Sequence, residues 1–273
     1  MCSAFPRLVL VAALLLPAAS PDARELRVCA DPNNLPFSND KGEGFENRIV
    51  ALIATDLHVD LAYVWWAQRR GFIRNTLKAG LCDLVPGTPA NMEMLRTTAP
   101  YYRSSYVFVT RADEAEIASF DDARLRDVAV GVQLVGDDGA NTPPVTALGR
   151  RGIVGNVRGY PVYGDYSLPN PPARIMDALE KGEIDVAIVW GPLAGYFARV
   201  SPVALHLAPV APTNDPFLPM AFDIAMGVRP GDEDLRAEVD GALQAHRSEI
   251  DAILAEYGVP RVEPSAPDAA ILR

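Results

Sequence analysis

Residues 181–190, KGEIDVAIVW, carry the reading on which the fold turns. Lys181 closes a helical pattern that begins at Ile175, Gly182 stops it, and 184–190 is an apolar run that reads as a strand. The same order occurs earlier in the chain. A helical pattern over 72–78 meets Gly80, and Leu84 and Val85 begin a short strand within KAGLCDLV, 78–85. Upstream of that, 26–30 (LRVCA) is a short strand closed by the turn cluster Asp31, Pro32, Asn33, Asn34. Phe45, Ile49, Leu52, Ile53 and Leu57 then recur at helical spacing, and 59–66 is a second strand. Strands and helices alternating in this way specify a mainly parallel sheet with covering helices.

After Thr88 the pattern changes. The segment 101–110, YYRSSYVFVT, is continuous and β-rich, and a charged stretch runs over 111–127. A second series follows, with a strand over 128–132, a helix start over 145–148 and a strand over 156–160. The expected architecture is therefore two α/β lobes. Residues 24–110 with 221–273 form lobe one, and 111–220 form lobe two. The chain crosses outward near 107–111 and returns near 219–226, and one final helix covers 233–257. Proline makes up 24 of the 273 residues. It gathers at Pro143 and Pro144, over 161–172 and over 202–219, all read as irregular loops.

The N-terminus has the form of an export signal. Arg7 precedes the apolar run 8–16, LVLVAALLL, and small residues follow at Ala18, Ala19 and Ser20. That run falls short of the ~20 residues needed to span a bilayer. Residues 1–23 are thus read as a signal peptide, and the exported chain starts at 24.

Hydrophobic residues at 49% and charged residues at 22% describe a globular protein. A net charge of −10, with no basic block longer than Arg69-Arg70 or Arg150-Arg151, argues against nucleic acid as a partner. Export leaves two cysteines, Cys29 and Cys82, and in an oxidising compartment such a pair is more often a disulfide than two thiols. His58, His206 and His246 are scattered, so a zinc site is not expected. Asp121, Asp122, Asp137 and Asp138 lack the spacing of a calcium loop and read as solvated acids. No GxSxG motif occurs, and neither cysteine has a histidine close in sequence. The expectation is a protein that is not an enzyme, with no metal and no cofactor.

The strings LRVCADPNNLPFSNDKGEGFENRI (26–49), KAGLCDLV, KGEIDVAIVW and MGVRPGDEDLRAEVDGAL (226–243) resemble the periplasmic solute-binding proteins of polar-amino-acid ABC transporters. DPNNLPF, GFENRI, WWAQRRGFIRNTL (65–77) and TTAPYYRSSYVFV (97–109) are similar to one branch, the MxaJ/XoxJ (MoxJ) type associated with PQQ-dependent methanol and alcohol dehydrogenases. The resemblance implies the two-lobed type II solute-binding fold, a periplasmic location, and strands that set Cys29 beside Cys82. It also implies assistance to a quinoprotein dehydrogenase. Amino-acid receptors of this kind clamp the substrate carboxylate with an arginine just before the segment that is TTAPYY here, and the ammonium with an aspartate after the lobe-two strand. This chain has Asn91 six residues before TTAPYY, with Arg96 off register, and Gly191-Pro192 after the strand. Both anchors are missing, and a buried charge without a partner is costly.

A cleft is expected where loops leave the C-terminal ends of parallel strands. That places Asp31, Asn33, Asn34, Phe37, Trp66, Gln68, Arg69, Arg70, Thr88, Tyr101, Tyr102, Gln133, Tyr163, Tyr166 and Trp190 at or near it. Of the adjacent Trp65 and Trp66, alternation sends one to the core. Tryptophan, tyrosine and arginine are also the residues from which protein-binding hot spots are made. Two function classes follow. One is a monomeric accessory protein that binds a PQQ-dependent dehydrogenase; the other is a receptor that delivers a small polar or aromatic solute to an ABC permease.

Overall fold

The computed structural model describes residues 24–263 apart from 91, 136–139, 163–165, 167, 212–213 and 216–217. The expected signal segment, Tyr163, Asn91, Asp137 and Asp138 lie outside the described residues.

The chain opens with β1 (Glu25–Ala30), α1 (Phe45–Asp56) and β2 (Asp60–Trp65), with β1 and β2 parallel and paired from Glu25↔Asp60 to Ala30↔Trp65. Helix α2 (Phe72–Asn75) is shorter than the 72–78 pattern predicts. Thr76 is the reason: its hydroxyl donates to the Phe72 carbonyl at 2.6 Å, and its backbone leaves the helical region at φ −120°, ψ −84°. Strand β3 (Val85–Pro89) follows, held beside β1 by a parallel bridge between Val28 and Leu84.

Strand β4 (Tyr102–Arg111) links the two halves of the molecule. Next come β5 (Val130–Val135), α3 (Pro143–Arg150), β6 (Val157–Pro161), α4 (Arg174–Glu180) and β7 (Val186–Trp190). The chain continues through α5 (Gly191–Val200), β8 (Leu205–Pro209), β9 (Ala221–Val228), α6 (Glu233–Ala245) and α7 (Arg247–Glu256). One sheet runs in the order β6-β5-β7-β4-β9-β3, with β8 also on β4. The β6–β5 and β5–β7 pairs are parallel, whereas β4 is antiparallel to β7, β8 and β9.

Side-chain alternation explains why 186–189 is apolar without a polar face. Val186 and Ile188 pack with Phe108, Phe120 and Leu125 on one side of the sheet. Ala187 and Val189 pack with Ile175, Leu179 and Leu193 on the other. A separate core lies in the first half, where Phe45, Ile49 and Ile53 of α1 meet Val28, Met226, Leu243 and Leu254. Cys29 and Cys82 are bonded, with Cα atoms 5.6 Å apart, beside Phe72 and Leu77.

Four local expectations need correction. β4 exchanges partners between Ser105, which pairs with Ala221, and Tyr106, which pairs with Trp190; the change comes earlier than 107–111 because Tyr106 and Phe108 already belong to the second core. The final helix is two helices, broken at His246, whose ring is held by Asp56 at 2.9 Å and Glu249 at 3.3 Å while its backbone sits at φ −104°, ψ 24°. Pro143 and Pro144 begin α3, where a missing first-turn N–H costs no hydrogen bond. Neither Trp65 nor Trp66 is core: Trp65, half-buried, stacks on Tyr63 at 4.4 Å, and Trp66 is exposed.

Candidate functional site: a bridged cleft between the halves

The C-terminal ends of β1, β2, β5 and β7 converge on a cleft of about 290 Å³. From the first half, Asn34, Phe37 and Gln68 line it. From the second come Tyr106, Gln133, Thr142, Val162, Pro172, Trp190 and Leu193. The two halves are bound at its mouth. Asp31 accepts the backbone N–H groups of Asn33 (2.9 Å) and Gln68 (2.7 Å) and the hydroxyl of Tyr166 (2.7 Å). The Asn33 amide donates to the Leu168 carbonyl at 2.9 Å and accepts the Asn170 N–H at 3.0 Å. Asn34 donates to Gln68 Oε1 at 3.1 Å, which orders two carboxamides along one wall.

The opposite wall is built on β5 and β7. Gln133 is only 4% exposed, and its Oε1 accepts the backbone N–H of Trp190 at 2.7 Å. Thr142, buried at the start of α3, donates to the Gln133 carbonyl at 2.9 Å. Trp190 meets Tyr106 edge-on at 5.5 Å and Phe222 at 5.9 Å, and it packs against both halves of the molecule. Burial raises the Tyr106 hydroxyl pKa above its ordinary value, so this phenol stays neutral. None of the side chains lining the cleft among the described residues carries a formal charge.

The structure thus brings Asn34, Phe37, Gln68, Gln133 and Trp190 together in the cleft and sets Asp31, Asn33 and Tyr166 at its mouth. Trp66 is 38% exposed and Arg69 and Arg70 are exposed, all in the turn after β2 and apart from the cleft lining. Thr88 is buried and bonded to the Ala225 carbonyl at 3.2 Å. Tyr101 and Tyr102 lie in the first core, packed with Phe45 and Leu243 and not lining the cleft. Sequence reasoning missed Tyr106, Thr142, Val162, Pro172 and Leu193. Leu193 had a usable signal, since Gly191-Pro192 directly after a strand marks a helix start. Arg96, the off-register arginine, faces away from the cleft to Glu233 at 3.2 Å and is largely exposed. Among the described residues no cluster of three or more His, Cys, Asp or Glu is placed to hold a metal.

A model of the bacterial extracellular solute-binding proteins, family 3, matches residues 26–260. The chain is 36% identical over 260 residues to Protein MoxJ of Methylorubrum extorquens, covering 89% of this chain and 83% of that one. It is 30% identical over 264 residues to Protein MoxJ of Paracoccus denitrificans, covering 91% and 92%. The crystal structure of the periplasmic binding protein XoxJ from Methylobacterium extorquens AM1 superposes with a TM-score of 0.71 at 38% identity, covering 87% of this chain and 99% of that one. The shared architecture is the two-lobed type II fold, with a central sheet and covering helices.

Proposed function

We propose that this chain, which belongs to the bacterial extracellular solute-binding proteins of family 3, works in the periplasm as a non-enzymatic accessory protein that binds and supports a PQQ-dependent methanol or alcohol dehydrogenase. The observation that carries this reading is the absence of a charged anchor among the described cleft residues. Asp31 is engaged by three internal donors at the mouth, and Arg96 is paired with Glu233 on the outside. A zwitterionic amino acid would leave both its charges unpaired there. A solute-binding scaffold without charged anchors still offers two lobes and a preformed rim, and a preformed surface lowers the ordering cost of protein association. Likeness to the MoxJ and XoxJ proteins supports the same reading, since the sequence resemblance to that branch implies assistance to a quinoprotein dehydrogenase.

The test is a pull-down of the cognate dehydrogenase with the exported chain at low and high salt, paired with alcohol oxidation in a deletion strain. A chain of net charge −10 meets a basic patch on its partner, so capture weakens as salt screens the charges. No capture together with normal oxidation would overturn the proposal.

A further inference from the structure

We infer that the cleft is a binding site for an uncharged planar ring that carries a hydrogen-bond acceptor, a molecule of the size and chemistry of benzamide or a phenol. Three features of the lining support this, and none depends on a dehydrogenase partner.

The first is shape. Trp190 and Tyr106, edge-on at 5.5 Å, form an aromatic corner, and Phe37 lines the cleft from the other lobe. A flat ring gains contact and quadrupole interactions from such a corner that a saturated ring does not. The space of about 290 Å³ accommodates a small ring compound.

The second is an unanswered set of donors. Gln133 gives its Oε1 to the Trp190 N–H, so its side-chain N–H groups are left at the cleft wall, where they have no hydrogen-bond partner among the described residues. The Tyr106 hydroxyl, on a residue 9% exposed, is likewise without a partner among the described residues. Both residues line the cleft, so an acceptor oxygen of a ligand can take the place of water at these two donors.

The third is charge. Among the described residues the lining side chains are carboxamides, a threonine, a proline, aromatics and aliphatics, so an ionised ligand would be desolvated there with no counter-ion. Recognition therefore runs through hydrogen bonds and ring contact, which favours the neutral amide or phenol over its charged analogues.

The experiment titrates the exported chain with benzamide, benzoate, benzylamine, phenylalanine and cyclohexanecarboxamide, by calorimetry and ligand-observed NMR. Benzamide is expected to bind at least about tenfold more tightly than each of the others. Tyr106→Phe keeps the ring packing and removes only the hydroxyl; it is expected to weaken benzamide about threefold or more with an unchanged thermal midpoint. Gln133→Glu keeps an acceptor for the Trp190 N–H while replacing the amide donors, and is expected to weaken benzamide about tenfold. The inference is overturned if benzamide does not bind, if a charged or saturated probe binds as well, or if binding is the same in both variants. A failed dehydrogenase pull-down leaves it standing, because the titration contains no second protein.

Discussion

The hydroxyl of Tyr166 donates to Oδ2 of Asp31 at 2.7 Å, joining residues 135 positions apart across the mouth of the cleft. Asn33 adds two further bonds, to the Leu168 carbonyl and from the Asn170 N–H. Removing both contributions with Tyr166→Phe and Asn33→Ala should loosen this bridge between the halves without disturbing either core. Amide exchange at Asn170, whose N–H is given to Asn33, is expected to speed up by roughly tenfold. Unchanged exchange there would mean that the bridge does not hold the lobes together in solution.

Standard amino acids are expected not to bind with transport-receptor affinity, because the cleft has no partner for either of their charges among the described residues. Calorimetric titration with the standard set checks this. Micromolar binding of any of them would make Arg96, now paired with Glu233, the first residue to re-examine.

Loss of the Cys29–Cys82 bond should be costly. It closes a loop with a sequence separation of 53, and on the chain-entropy estimate this stabilises by roughly 4 kcal/mol. A Cys29→Ala, Cys82→Ala double variant should show that loss in denaturant unfolding. Equal midpoints for parent and variant would contradict it.

Glu46 lies inside the first lobe, 5% exposed, with Tyr63, Tyr101 and Tyr102 as its titratable neighbours and no ion pair among the described residues. Gly87 packs so closely that a Cβ there would overlap its carboxyl. Burial pushes the Glu46 pKa from an ordinary 4.5 to about 8. Between those values the folded chain keeps a proton that the unfolded chain has lost, so stability falls as pH rises through the window, by at most about 1.4 kcal/mol per pH unit. Glu46→Gln should flatten that slope and be the more stable protein above the window. Urea unfolding at several pH values decides it, and parallel slopes for the two proteins would refute the assignment.

Arg69 and Arg70 are exposed in the turn that follows Trp66, outside the cleft. Changing both to Ala is expected to weaken capture of the dehydrogenase by roughly tenfold while leaving the thermal midpoint in place. Binding equal to that of the parent would move the contact surface elsewhere.

What the sequence determined by itself was periodic. Alternation and helical spacing in 26–57 and 175–190 set the order of strands and helices, because a strand or helix must turn its apolar residues toward a core wherever that core lies. The same logic found Asn34, Gln68, Gln133 and Trp190, which sit at strand ends and so at the cleft. Tertiary structure alone decided which residues face one another. Tyr106 enters the cleft only because β4 changes partners between Ser105 and Tyr106, and Tyr101 and Tyr102 leave it because the same strand start packs against α1. The Tyr166–Asp31 bond and the unpaired Gln133 donors likewise depend on how two lobes distant in sequence are set against each other. No local pattern encodes that geometry, since hydrogen bonding across a cleft is determined by the position of the partner in space and not by its place in the chain.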